Sequence, residues 1–227
     1  MRVSDTSNQG GDDVHGFRRL AAQIVSHPRV YRLQRRLLHA EKLDEQLAPL
    51  IDKAVGGAAL GTVVDVGGGS GVSRSLWPPT WTYIGIDPDE RAVQFGQAGE
   101  NTERTVGTAS ELPFPDGYAD AVLMKEVSHH LDDVTWEKTL QEIRRILKPE
   151  GTFVFLDGVW TRQRWISRLV WRFDVGRHPR EATRIEQDIA THFEVQDLAR
   201  FAAIHRCIVL LARPRAANPA ARSVSSA

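Results

Sequence analysis

The chain has 227 residues, with lysine plus arginine and aspartate plus glutamate equal at 29 each. That length supports one α/β domain with a sizeable core, and the zero net charge argues against a general nucleic-acid binder, which needs a positive field. The single cysteine, Cys207, excludes an internal disulfide and a cysteine-based zinc cluster, predicts no metal site, and fits a reducing cytoplasm.

Residues 1–15 are polar and acidic, have no apolar signal core, and read as a disordered lead. From Phe17 the pattern is helical. In "VYRLQRRLLHAEKLDEQLAPLIDKAV", Val30, Leu33, Leu37, Leu38, Leu43, Leu47, Leu50 and Ile51 form one apolar stripe with charges behind it. After Gly61 the texture changes. Thr62–Val66 is a β-branched run bounded by glycine, and "WTYIGID" is a second strand ending in Asp87. "DERAVQFGQA" reads as a helix capped by Asp89. "DAVLMKE" is a further strand and "TWEKTLQEIRRIL" an amphipathic helix that stops before Lys148-Pro149. Gly151 then opens the strand "TFVFLD". Strands alternating with helices at this spacing predict a doubly wound, Rossmann-like α/β domain with a parallel sheet covered on both faces.

In the last third, "TRQRWISRLVWRF" and "EATRIEQDIATHF" read as helices. "FEVQDLARF" and "IHRCIVLLARP" read as two strands close in sequence, hence antiparallel. Cys207, among apolar neighbours, reads as core, and residues 215–227 as a loose tail. No apolar run approaches the ~18 residues that span a bilayer.

The stretch "VVDVGGGSG" carries the chemistry. It fails the dinucleotide spacing, because Val72 and Arg74 stand where the third glycine belongs, and it lacks the lysine of a P-loop. Its pattern is acid-x-Gly-x-Gly-x-Gly, formed by Asp65, Gly67, Gly69 and Gly71. Such a loop brings bare backbone close to a ligand and aims the next helix N-terminus at a negative group. Asp87, about twenty positions on, can accept from both hydroxyls of a ribose. A ligand with a ribose and a carboxylate, but no pyrophosphate, satisfies both features; S-adenosyl-L-methionine (SAM) is such a ligand.

With "YIGIDPD", "GTASELPFPDGYADAVLMKEVSHHL" and "EIRRILKPEGTFVFLD" following in order, the chain resembles the class I SAM-dependent methyltransferases, in particular the small-molecule, quinone-biosynthesis-like branch, over roughly residues 60–157. The resemblance implies a seven-stranded sheet with an antiparallel last strand. It puts Gly67, Gly69 and Gly71 under the methionine moiety, with Asp65 orienting the loop and reaching the amino group. Asp87 would hold the ribose, Pro88 would lie against the adenine, and Ala109 and Ser110 would meet the adenine edge through backbone. Lys125 would offer its carbonyl to the cofactor's ammonium. The family often has an acid where this chain has Thr108, whose hydroxyl accepts more weakly.

His129 and His130 follow the fourth predicted strand, where the family's active site opens, and are the candidates for a base on an acceptor hydroxyl, His130 ahead of His129. Packing or orienting histidines are the alternative, and Glu126 is a substitute base. Around 160–174, Arg164, Arg168 and Arg172 share one helical face, and Trp165, Ile166, Leu169, Val170 and Phe173 occupy the rest. Three readings stay open there: a solvated basic face, a lid over the acceptor, or a helix making peripheral membrane contact.

The expected organisation is a single domain at 16–214. Within it, 16–57 is a helical cap, 58–157 the cofactor half and 158–190 the acceptor lid. The expected reaction is methyl transfer to a small-molecule or lipid-linked acceptor, O-methylation first and C-methylation of an activated ring second. A non-catalytic SAM-binding partner protein is the rival from another class. No nucleic-acid partner is expected, and the sequence leaves the oligomeric state open.

Overall fold

The computed structural model describes residues 40–96, 99–161, 178–203 and 206–215. The expected helical cap is therefore described only from Ala40 onward. The expected basic helix, from its second residue at 162 to 173, with its lid and membrane readings, the lead 1–15 and the tail beyond Arg215 lie outside the described residues.

Helix α1, Ala40–Val55, carries the end of the apolar stripe. Leu43, Leu47, Leu50 and Ile51 are buried on one face, each contributing about 1.5–3 kcal/mol by leaving water. Pro49 sits inside the helix on its exposed side, where the unmatched carbonyl one turn back can bond water. Among the described residues seven strands form one sheet in the order β3-β2-β1-β4-β5-β7-β6. They are β1 Thr62–Val66, β2 Thr82–Asp87, β3 Thr102–Val106, β4 Ala119–Lys125, β5 Leu147–Val159, β6 Phe193–Ala202 and β7 Arg206–Pro214. The first five pair in parallel. β7, last in the chain, runs antiparallel to both β5 and β6. The expected doubly wound sheet with an antiparallel last strand is the observed one.

Alternation along the central strands builds two cores. Val64, Val66, Val122, Met124, Phe153 and Phe155 face α3 (Asp133–Ile146) and α4 (Ala182–His192). Val63, Tyr83, Leu123, Val154 and Leu156 face α1. Cys207 belongs to the second core, and burial pushes its thiol up to about 12, which makes it inert. No helix among the described residues is long and apolar enough to cross a membrane.

Three elements differ from the sequence reading. β3, "TERTV", is an edge strand with no fully buried residue, so it has no apolar run to betray it. β5 begins at Leu147 and continues through Pro149, because its pairing jumps from Ala119↔Leu147 to Ala121↔Thr152 and leaves the proline in the irregular stretch. Helix α2, Glu90–Gln94, keeps its Asp89 cap but ends before Phe95. A Cβ on Gly96 would fall 1.7 Å from the Arg104 guanidinium, which fills that space.

The loop joining β3 to β4 is held by the paired side chains of Arg145 and Glu142. Arg145 donates to the carbonyls of Leu112 and Phe114 at 3.0 and 2.7 Å and to Glu142, while Glu142 accepts from the Leu112 N–H at 2.8 Å. Replacing Arg145 by Met should destabilise the protein by about 1–2 kcal/mol in urea unfolding. Amide exchange should quicken over residues 107–117 and not in α4.

Candidate active site

β1 and β4 are sheet neighbours, and strand order reverses between them, so a crevice opens at the carboxyl ends of β1, β2 and β4. β1 runs into the glycine loop, with Gly67, Gly69 and Gly71 at φ 76°, 51° and 76°, a region glycine enters without steric cost. The Gly67 and Gly68 N–H groups donate to the Ile86 carbonyl at 2.8 and 3.2 Å, tying the loop to β2. A Cβ on Gly67 would sit 2.3 Å from a Val127 methyl, so the loop is also pressed against the segment after β4. The element after Gly71 is a short 3-10 turn, Val72–Leu76, and not the longer helix that the loop motif suggests.

Asp87 ends β2 against this loop. Its Oδ2 accepts from the Gly69 N–H and its Oδ1 from the Asp89 N–H, each at 2.9 Å. Burial raises its pKa, opposed by those two N–H groups. Each carboxylate oxygen has a second acceptor position, so both can still receive a hydroxyl. Gly69 holds φ 51°, a backbone conformation that a side chain would strain, and this brings its N–H onto Asp87. This pairing of carboxylate and naked loop fits a ligand with a vicinal diol and a small polar tail.

Asp65 lies beneath the loop, 2% exposed, and accepts from the Tyr83 hydroxyl. Burial pushes its pKa up to about 6, against smaller opposing pulls from Tyr83, Lys125 and Ser73. Its backbone carbonyl accepts from the Gly68 N–H at 3.2 Å. A loop N–H, that of Gly69, is bonded to the carboxylate of Asp87. Lys125 ends β4 with its ammonium on Asp44 of α1, its side chain 8% exposed. Pro88 is exposed at the rim, Ala109 and Ser110 are half-buried after β3, and Thr108 is exposed.

The two histidines occupy a short turn, Ser128–His130, and are not equivalent. His129 is buried and its Nδ1 lies 2.6 Å from Asp157 Oδ1. The same carboxylate accepts from Ser128 Oγ at 2.5 Å and from the Gly158 N–H at 2.7 Å. Burial opposes the charge on Asp157, but the His129 charge and these donors together hold its pKa below the ordinary value. An ionised Asp157 places the shared proton on Nδ1. His130 is exposed, 4.1 Å from His129 between ring centroids, and its charge reaches Asp87.

Arg180, 5% exposed at its side chain, clamps this turn by donating to the Ser128 and Leu131 carbonyls at 2.8 and 2.9 Å and to Asp133. The His178 N–H adds a bond to the His129 carbonyl at 2.9 Å. An open hollow of about 610 Å³ borders these residues, with Asp132, Asp133, His178 and Arg184 on its walls. Sequence reasoning missed Asp157, Tyr83 and Arg180. Asp157 had a signal: it is an acid closing the apolar run "TFVFLD", every residue of which is buried. Tyr83 and Arg180 had none beyond their polarity.

The sheet order defines an α/β domain with the methyltransferase-type fold. Residues 64–155 match the family model described as a methyltransferase domain, and over that stretch the chain is similar to class I SAM-dependent methyltransferases. It is 34% identical over 102 residues to the uncharacterized methyltransferase YcgJ of Bacillus subtilis, covering 42% of this chain and 40% of that protein. It is 36% identical over 94 residues to the fatty-acid O-methyltransferase of Mycolicibacterium smegmatis, covering 40% and 33% respectively. The chain thus spans less than half the length of these curated relatives. Among solved structures, the PH0226 protein of Pyrococcus horikoshii shares the fold at a TM-score of 0.62 and 19% identity, over 84% of this chain and 93% of that one.

The raised pKa of Asp65 makes a pH prediction. Its folded value of about 6 exceeds its ordinary 3.8. Below the ordinary value both states are protonated, and as pH rises through 6 the unfolded chain gains more by ionising. Wild-type stability relative to Asp65→Asn should therefore fall by about 3 kcal/mol between roughly pH 3.5 and 7. Urea unfolding of both proteins across that range measures the difference.

Proposed function

We propose that this protein transfers a methyl group from SAM to a hydroxyl of a small-molecule or lipid-linked acceptor. The observation that carries the reading is the Gly69 N–H to Asp87 bond, which fastens a bare loop to a carboxylate that can still accept on both oxygens. In this reading Asp87 takes the ribose hydroxyls, while Ala109, Ser110 and Pro88 border the adenine. Gly67, Gly69 and Gly71 run under the methionine moiety. Asp65 and the Lys125 carbonyl face its ammonium. The cofactor supplies a methyl group already activated on a sulfonium, so alignment provides much of the rate.

The chain's own contribution to chemistry is the histidine turn. Asp157 fixes the Nδ1 proton of His129 and directs basicity to Nε2, the arrangement of a general base on a hydroxyl. This reverses the sequence-based preference for His130, whose exposure and proximity to Asp87 suit a role beside the cofactor. The segment 158–190 is kept on the acceptor side in this reading, supported by the bonds from His178 and Arg180 to the histidine turn. A relative named for fatty-acid O-methylation agrees with oxygen as the methylated atom.

Titration with S-adenosylhomocysteine in a calorimeter, followed by methyl-labelled SAM with fractionated cell extract, tests the reading. Binding and label in a lipid or small-molecule fraction are expected, and Asp87→Ala should abolish the heat. Binding without label in any fraction would favour the non-catalytic reading. Once an acceptor is found, His129→Ala should lower turnover about 10²–10⁴-fold with cofactor affinity unchanged. Asp157→Asn should lower turnover and shift the acid limb of the pH–rate profile. An unshifted profile would leave Asp157 a packing residue.

A further inference from the structure

Lys125 stands at a decision point between two carboxylates. β1 and β4 pair with Asp65 opposite Leu123 and Val66 opposite Met124, so Lys125 extends β4 beside the start of the glycine loop. Residues two apart share a strand face. Lys125 therefore projects on the face of Leu123, which is the face of Tyr83 and α1 and the face on which Asp65 meets Tyr83. Its stem is buried and its ammonium rests on Asp44, in the first turns of α1. Asp65, on the adjoining strand, already feels that charge.

We propose that Asp44 is a positioning residue for cofactor binding: it draws the Lys125 ammonium onto α1, so that the Asp65 carboxylate stays available to the ammonium of the methionine moiety. This rests on the cofactor reading above. The physical requirement is simple. A berth beside one buried carboxylate accommodates one cation, and a second cation there is repelled and must also be desolvated. A lysine at the position whose carbonyl should meet an ammonium would be self-defeating without a partner to turn it aside. Asp44 is that partner, and it comes from a helix distant in sequence from every motif of the cofactor half.

Calorimetry of two ligands separates this from a general structural role. S-adenosylhomocysteine has the amino-acid moiety and 5′-methylthioadenosine lacks it, while both carry the same nucleoside. Asp44→Asn should weaken S-adenosylhomocysteine by about tenfold or more and leave methylthioadenosine unchanged. Adding Lys125→Met to that variant should restore S-adenosylhomocysteine binding, and Lys125→Met alone should bind it at least as tightly as wild type. The single lysine variant keeps the test decisive if Asp44→Asn does not fold. Equal loss of both ligands in folded Asp44→Asn, no loss of either, or failure of the double variant to recover would overturn the proposal. So would weaker binding by Lys125→Met. Wild-type protein that binds methylthioadenosine and not S-adenosylhomocysteine, or binds neither, would instead overturn the cofactor reading on which it stands.

Discussion

Asp65 keeps a carboxylate inside a parallel sheet, where burial works against its charge and only specific neighbours make the charge tolerable. Much of the surrounding sequence answers to that constraint. Tyr83 fills the core with its ring and supplies the hydroxyl that Asp65 accepts from. Gly85 is the register partner of Asp65 on β2. Its Cα faces the Tyr83 ring and the Arg104 stem, which a Cβ would meet at ordinary contact distances of 3.6 and 3.5 Å. Lys125 adds a compensating charge from β4, and Asp44 restrains that charge from α1. The acid at the end of β1 is thus linked to β2, β4 and α1, and the cofactor half and the helix before it share one electrostatic problem.

The same logic, a buried carboxylate organising a turn, recurs on the other side of the crevice. Asp157 at 0% exposure collects Ser128, His129 and Gly158 as donors, and Arg180 closes the turn from outside through backbone carbonyls. The two carboxylates titrate in opposite senses. Asp65 is raised because burial outweighs its donors, and Asp157 is lowered because a histidine and several donors outweigh burial. An Asp65 that is costly to ionise is suited to gain from an arriving cation. An Asp157 already satisfied within the chain is suited to hold an imidazole in one tautomer. Environment, not residue type, divides their work.

The sequence made the cofactor side legible because its determinants are local. A glycine loop, an acid ending the next strand and the apolar runs of β1, β2, β4 and β5 are each contained within a few consecutive residues. What stayed hidden depends on pairing between distant segments. β3 has no apolar run because it is an edge, and the passage of β5 through Pro149 depends on a register jump against β4. The inequality of His129 and His130 is invisible in "SHH", because it is decided by an aspartate from another strand. Lys125 drew attention for its carbonyl, and nothing within "DAVLMKE" reveals that its ammonium belongs to a helix some eighty residues earlier.

One backbone feature joins the two sides. Glu126, the residue after β4, has φ of 58°, a left-handed conformation in a residue with a side chain, which costs roughly 1–2 kcal/mol. It explains why the strand ends at Lys125 and not at the glutamate that the apolar pattern includes. The Glu126 N–H still reaches the Leu156 carbonyl at 2.8 Å, so the chain leaves the sheet abruptly after one last ladder bond. That sharp exit lays Val127 against Gly67, where no Cβ would fit. It also swings Ser128 and His129 over the end of β5 onto Asp157. An unstrained continuation of β4 would carry these residues straight out of the crevice. The cost at Glu126 is therefore tied to the close approach of the glycine loop and the histidine turn, the approach on which the proposed methyl transfer depends.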